Sequence, residues 1–90
     1  MRMAFAVHGR VQGVGFRYFV RDQAWELQVA GWVRNEFNDT VTGEVEGEAV
    51  SMEGFRRCLE QGPSMAYVTR LDWTPLSGGQ SLPFPFEIRP

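Results

Sequence analysis

Three glycines within seven residues, at positions 9, 13 and 15, constrain this chain more than any other feature of its sequence. Glycine adopts positive φ angles that other residues avoid, and closely spaced glycines break helices and strands. Residues 9–15 are therefore expected to form a loop. A short apolar run over residues 3–8 predicts a strand before this loop, and the pattern after it is helical.

After the loop, apolar residues recur every three or four positions, and the charged residues between them fall on the other side. This spacing is typical of an amphipathic helix with one buried face, which we expect over residues 16–28. The apolar positions are Phe16, Val20, Ala24 and Leu27.

The rest of the chain alternates between strand and helix patterns. Asn38 and Asp39 tolerate left-handed backbone and suit a tight hairpin between two strands. Gly62-Pro63 ends a second helix. The predicted strands cover 30–35, 41–46, 65–73 and a short last segment that alternates Phe84, Phe86 and Ile88, and the second helix covers 49–61.

This order, βαββαβ plus one strand, predicts a single α+β domain over residues 1–90. Right-handed crossovers allow its two β-α-β units to interleave. The expected architecture is a ferredoxin-like sandwich, an antiparallel sheet with both helices on one face and a short C-terminal fifth strand. Its core should contain Val41, Val45, Phe55, Leu59, Phe86 and Ile88.

The predicted topology has a consequence for the location of a site. The first two strands run parallel to each other, so their C-terminal ends lie at the same edge of the sheet. The glycine loop leaves one strand there and Asn35 lies near the end of the other. The start of the first helix belongs to the same edge.

This edge has the chemistry of an anion site. A helix N-terminus presents unpaired N–H groups, and glycines let neighbouring amides converge on one anion. Arg17, in the first turn, adds a planar charged group suited to phosphate. The spacing fits neither the Walker loop nor the dinucleotide motif, and an ordinary strand-to-helix turn is the alternative interpretation.

Composition excludes several other kinds of site. All nine basic residues are arginine, so there is no Schiff-base or P-loop lysine. The single Cys58 and single His8 exclude an internal disulfide and an ordinary zinc site, and we expect no metal or cofactor. The net charge of −2 disfavours nucleic-acid binding. Neither a membrane-length apolar run nor a signal peptide is found, so we expect a cytoplasmic protein without membrane contact.

Several segments together resemble the acylphosphatase family. The first is GRVQGVGFR at 9–17, which is similar to the phosphate-binding signature of that family, and the second is GWVRN at 31–35. The segment TVTGEVEG at 40–47, Gly62-Pro63 and the terminal FEIR at 86–89 also resemble it. The resemblance covers essentially the whole chain.

The resemblance implies roles for individual residues. Arg17 would bind the phosphate, and Asn35 would orient the attacking water. A cradle of backbone amides would come from Arg10, Val11, Gln12, Gly13, Val14, Gly15 and Phe16. The implied enzyme hydrolyses carboxyl-phosphate mixed anhydrides to a carboxylate and inorganic phosphate. We expect it to act as a monomer, although the sequence does not determine the oligomeric state.

Two positions depart from the family pattern. Asp39 occupies a hairpin position that is usually glycine, which is a tolerable change in a turn. Glu36 follows Asn35 and brings an acid close to an anionic substrate, so we expect it to lower affinity.

A site without nucleophile, general base or metal is sufficient for an acyl phosphate. The leaving group is a carboxylate, whose conjugate acid has a pKa near ~4, and it departs without a general acid. The transition state is loose, so positioning and electrostatic stabilisation account for most of the catalysis.

Two other functions are weighed against this one. Residues 14–20, VGFRYFV, superficially resemble the aromatic strand of RNA-recognition domains, which share the βαββαβ order. A non-catalytic, regulatory domain of the same fold is the second.

His8 is interpreted as a polar strand end, Cys58 as a helix packing residue, and Arg10, Arg21 and Arg34 as surface charges that add positive potential.

Overall fold

The computed structural model describes residues 1–90 and contains two helices and five strands. Its elements, in chain order, are β1 Arg2–Arg10, α1 Phe16–Leu27, β2 Ala30–Asn35, β3 Val41–Glu46, α2 Ala49–Gln61, β4 Tyr67–Pro75 and β5 Glu87–Ile88. The predicted ferredoxin-like order of elements is confirmed. Neither helix is long and apolar enough to cross a membrane.

The strands form one sheet in the order β4-β1-β3-β2-β5. β3 lies between β1 and β2 and is antiparallel to both, so β1 and β2 are parallel to each other as predicted. Their C-terminal ends therefore share one edge of the sheet. β5 pairs with the outer side of β2 in the parallel sense, which makes the complete sheet mixed where the sequence predicted an antiparallel one.

One hydrophobic core joins the two helices to one face of the sheet. Alternate residues of β1, namely Met3, Phe5 and Val7, are buried, and each helix contributes three buried side chains. The predicted core residues Val41, Val45, Phe55, Leu59 and Phe86 are confirmed as buried, whereas Ile88 is half-buried at the sheet margin. The opposite face, with Arg2, Ala4, Ala6 and His8 of β1, is called the open face below.

β1 extends two residues beyond its predicted end because its pairing with β4 continues past an irregularity. The β1–β4 register shifts between His8 and Gly9, and Gly9 has a φ of 122°. A Cβ atom at this position would lie 2.1 Å from the backbone oxygen of Tyr67. Only glycine fits this close approach, which carries the chain onward to Arg10 and into the loop.

The hairpin between β2 and β3 follows the turn chemistry predicted from its residues. Asp39 has a φ of 69°, the left-handed conformation that Asp tolerates better than most residues. The Oδ1 atom of Asn38 accepts hydrogen bonds from the backbone N–H and the hydroxyl of Thr40, at 3.3 and 2.6 Å. The hairpin thus returns the chain tightly next to Asn35.

The last two strands were predicted less accurately. β4 begins at Tyr67, two residues later than predicted, and continues to Pro75. The last strand contains only Glu87 and Ile88, and Phe84 is exposed, so the predicted alternation is wrong at Phe84. Residues 14–20, which resemble an RNA-binding strand in sequence, lie in the loop and at the start of α1.

Candidate active site

A cavity of about 170 Å³ lies where the glycine loop, the start of α1 and the end of β2 meet. It is lined by Val11, Gly13, Gly15, Phe16, Arg17, Tyr18 and Asn35. The structure therefore brings Arg17 and Asn35 to one cavity, together with four of the seven predicted cradle residues. Arg10, Gln12 and Val14 do not line it.

The loop shapes the cavity wall through its backbone. Gly13 and Gly15 have φ angles of 73° and 76°, and a Cβ atom at either position would meet no neighbouring atom within 4 Å. Glycine is thus needed here for conformation and not for space. Gly15 is also the N-cap of α1 and offers no side-chain cap. The first amides of a helix have no intrahelical acceptor, and without a capping side chain they are available to an anion.

The arginines differ in whether they have an acidic partner. Seven of the nine form ion pairs within the chain. The two that form none are Arg10, at the end of β1, and Arg17, in the first turn of α1. Arg21 pairs with Asp22 and Arg34 with Glu36, so of the three surface arginines considered above only Arg10 leaves its charge unpaired.

Asn35, which lines the cavity, carries an unusual polar atom. Its side-chain Oδ1 is buried and has no hydrogen-bond partner within the chain. Buried acceptors are almost always satisfied, and leaving one unsatisfied costs about 1–3 kcal/mol. A side chain in this state, in a cavity beside an unpaired guanidinium, is suited to accept a hydrogen bond from a bound molecule.

The carboxylate of Glu36 is bound by two neighbouring side chains. The hydroxyl of Thr42 donates to its Oε2 at 2.6 Å, and Nε of Arg34 donates to the same oxygen at 2.7 Å. The hydrogen bond from Thr42, followed by that from Arg34, holds the pKa of Glu36 below its ordinary value. Glu36 does not line the cradle cavity, and its charge is offset by that of Arg34.

His8 belongs to a separate polar group on the open face. Its Nε2 lies 2.9 Å from Oδ2 of Asp72 and 3.2 Å from a guanidinium nitrogen of Arg70. The hydrogen bond with His8 is the main reason that the pKa of Asp72 is lowered. His8 does not line the cradle cavity, in agreement with its interpretation as a polar strand end.

The other sequence candidates lie outside the cavity. Cys58 is half-buried on α2, 3.4 Å from the side-chain oxygen of Gln23 on α1, and burial raises the pKa of its thiol. No three His, Cys, Asp or Glu side chains converge at any point. A larger cavity of about 560 Å³ adjoins the cradle, and Asn35 lines both.

The sequence did not indicate what the side chain of Gln12 does. Its Nε2 donates to the backbone oxygens of Glu36 at 2.8 Å and Thr40 at 3.0 Å. The loop is thereby tied to the hairpin that carries Asn35. The one signal in the sequence was the position of Gln12 between the glycines. Its acceptors are main-chain atoms, and no sequence pattern predicts which main-chain atoms a side chain contacts.

Comparisons with known proteins agree with this geometry. The family model described as Acylphosphatase matches residues 3–87. The chain is 50% identical to an acylphosphatase of Moorella thermoacetica over 68 residues, which is 76% of this chain and 73% of that protein. It is 43% identical to an acylphosphatase of Geobacillus kaustophilus over 74 residues, 82% of this chain and 79% of the relative.

A solved structure is similar over nearly the full length. The crystal structure of acylphosphatase from Bacillus subtilis superposes with a TM-score of 0.92 at 33% sequence identity. The match covers 98% of this chain and 97% of that one. The similarity therefore includes the loop, both helices and the hairpin.

Proposed function

This chain belongs to the acylphosphatase family, and on that premise we propose that it hydrolyses carboxyl-phosphate mixed anhydrides to a carboxylate and inorganic phosphate. The observation that carries the proposal is that two residues with unsatisfied polar groups line one cavity. These groups are the Arg17 guanidinium, which has no acidic partner, and the buried Oδ1 of Asn35. The first suits a phosphoryl group and the second a water molecule.

Arg17 and the loop amides bind the phosphoryl group. The guanidinium donates two parallel hydrogen bonds to phosphoryl oxygens, and the amides at the start of α1 donate to the others. The positive end of the helix dipole adds to this attraction. Because charge remains spread over the phosphoryl oxygens in the transition state, the same donors stabilise substrate and transition state.

Asn35 holds the attacking water. Its Oδ1 accepts a hydrogen bond from the water, which leaves an oxygen lone pair directed at phosphorus. The water oxygen forms the new P–O bond while the bond from phosphorus to the acyl oxygen breaks, and the carboxylate leaves with the electron pair. The water's proton passes to a phosphoryl oxygen. No titrating residue is needed, because the leaving carboxylate is a weak base with a conjugate-acid pKa near ~4.

The proposal is tested by the release of inorganic phosphate from benzoyl phosphate, with phenyl phosphate as the control substrate. We expect rapid release from the first and none above background from the second, because phenoxide is a poorer leaving group. Excess chelator should leave the rate unchanged, since no metal-binding cluster is present. Release from phenyl phosphate at a similar rate, or loss of activity with chelator and its return with a divalent ion, contradicts the mechanism.

A further inference from the structure

Gln12 connects the loop of the cradle to the hairpin that carries Asn35. Its side-chain nitrogen donates to the backbone oxygens of Glu36 and Thr40, at 2.8 and 3.0 Å. The backbone N–H of Glu36 donates to the same Thr40 oxygen at 2.9 Å, so both acceptors belong to the closed end of the hairpin. No other side chain of residues 9–15 forms a hydrogen bond with the hairpin.

The side chain of Gln12 lies outside the cradle. Asn35 lines both the cradle cavity and the neighbouring cavity of about 560 Å³, whereas Gln12 lines only the larger one. The side chain of Gln12 therefore does not line the cavity in which we propose that the phosphoryl group binds. Its side-chain nitrogen is instead bonded to two backbone oxygens of the hairpin, so it can fix the main chain next to Asn35.

Asn35 needs such support because nothing within the chain satisfies its Oδ1. A buried acceptor without a partner gains from any movement that brings it to a donor or to solvent. Asn35 is paired with Val41 across β2 and β3, and this pairing fixes the backbone of Asn35 relative to β3. The hydrogen bonds of Gln12 fix Glu36, the residue after Asn35, relative to the glycine loop. This loop is the element that holds the phosphoryl group.

We propose that Gln12 is a positioning residue for hydrolysis, which sets the distance and angle between the Asn35-bound water and the phosphoryl group in the cradle. This inference rests on the proposed function of the site. Misplacing a reacting group by about 1 Å costs on the order of 100-fold in rate. Gln12 should therefore act on kcat, through Asn35, and hardly on the binding of phosphate.

The first experiment compares Gln12→Met with a matched control. Methionine has nearly the same length and volume but donates no hydrogen bond. Trp25→Phe is the control. Like Gln12, Trp25 donates from its side chain to a distant backbone oxygen, in this case from α1 to the oxygen of Phe86 at 2.8 Å. We expect Gln12→Met to lower kcat for benzoyl phosphate about 10- to 100-fold with the dissociation constant of inorganic phosphate changed less than about threefold. Trp25→Phe should lower thermal stability alone.

A double-mutant cycle shows whether Gln12 acts through Asn35. Residues that act as a unit are strongly non-additive. We expect Gln12→Met to cause less than about a twofold further loss of kcat in an Asn35→Ala background. An independent structural role would instead multiply the two losses. If Gln12→Met does not fold, Gln12→Asn, whose amide is one methylene too short, is judged by the same criteria.

The outcomes separate this inference from the proposed function. A wild-type protein that does not hydrolyse benzoyl phosphate contradicts the proposed function itself. With an active wild type, three results overturn the role of Gln12: unchanged kcat in Gln12→Met, a parallel loss of phosphate affinity, or full additivity with Asn35→Ala. A lower kcat with retained phosphate affinity and non-additivity supports it.

Discussion

The cradle and the open face of the sheet differ in whether their charged side chains have partners. On the open face each arginine has an acidic partner: Arg2 pairs with Glu46, Arg34 with Glu36, Arg70 with Asp72 and Arg89 with Glu87. Arg17, which lines the cradle, and Arg10, at the end of β1, have none, and the Oδ1 of Asn35 is buried without a partner. Both regions belong to the same sheet, and β1 and β2 contribute to both.

The difference teaches where a ligand belongs. Folding alone favours pairing every charge and satisfying every buried polar group, and most of this chain does so. Groups left unsatisfied together, in one cavity, do not improve the stability of the free protein. They are suited to a partner that brings its own charge, which under the proposed function is a phosphoryl group with a water beside it.

The largest expected effect comes from removing the unpaired charge inside the cradle. We predict that Arg17→Ala lowers kcat/KM for benzoyl phosphate by roughly 10³-fold or more and weakens phosphate binding in parallel, because the guanidinium contacts ground state and transition state alike. Arg17→Lys should also be poor, since an ammonium cannot replace the planar donor pair. Steady-state kinetics and phosphate titration measure both quantities.

The matched control for Arg17 is an arginine from the open face. Arg70→Ala removes the same charge from the chain but breaks an exposed pair with Asp72, and it should change kcat/KM less than about twofold. Near-wild-type activity of Arg17→Lys, or an equal loss in Arg70→Ala, would remove the contrast between the two regions.

The next largest effect concerns the unsatisfied amide. Asn35→Ala should lower kcat about 10²- to 10³-fold, the range typical for removing one preorganised hydrogen-bonding group, while inorganic phosphate binds with near-normal affinity. If Asn35 only ended the hairpin, the variant would lose stability and keep its turnover per folded molecule. Kinetics, phosphate titration and thermal unfolding on one sample distinguish the two, and normal kcat removes Asn35 from the mechanism.

A smaller effect is expected at Arg10, which does not line the cradle cavity. Arg10 is exposed at the end of β1 and has no acidic partner, so it attracts anions without a fixed contact. We predict that Arg10→Ala raises KM about two- to fivefold at low ionic strength and has almost no effect in high salt, because exposed charges are screened. A loss of activity that persists in high salt would instead place Arg10 in direct contact with the substrate.

The sequence was most informative where local chemistry determines structure. Glycine spacing predicted the loop, helical periodicity predicted α1 and α2, and the crossover rule placed Asn35 at the same edge as Arg17. Which arginines stay unpaired could not be predicted, because partners such as Glu46 for Arg2 depend on strand register. The hydrogen bonds of Gln12 were equally out of reach, since they join a side chain to main-chain atoms far along the chain.

Glu36 shows how such a contact changes an expectation. From the sequence, an acid directly after Asn35 was expected to lower substrate affinity. In the structure its carboxylate is bound by Thr42 and Arg34 and does not line the cradle cavity. The open face thus offsets the charge of Glu36 through Arg34, and the effect of Glu36 on substrate affinity stays a prediction. This pairing leads to the smallest predicted effect.

We predict that Thr42→Val raises the pKa of Glu36 toward its ordinary value of about 4.5 and leaves kcat/KM at neutral pH unchanged. Valine has the shape of threonine but no hydroxyl, so the largest cause of the lowered pKa is lost. A carboxyl whose pKa is lowered by folding contributes stability above its unfolded pKa, and the contribution is lost as the pH falls through the folded pKa. The variant should therefore be slightly less stable at neutral pH and lose less of its stability between pH 4.5 and the lowered pKa. Carboxyl NMR titration and unfolding curves across this window measure both changes. A fall in kcat/KM at neutral pH would contradict the prediction, because the hydrogen bonds of the open face would then support the cradle and the two regions would not be independent.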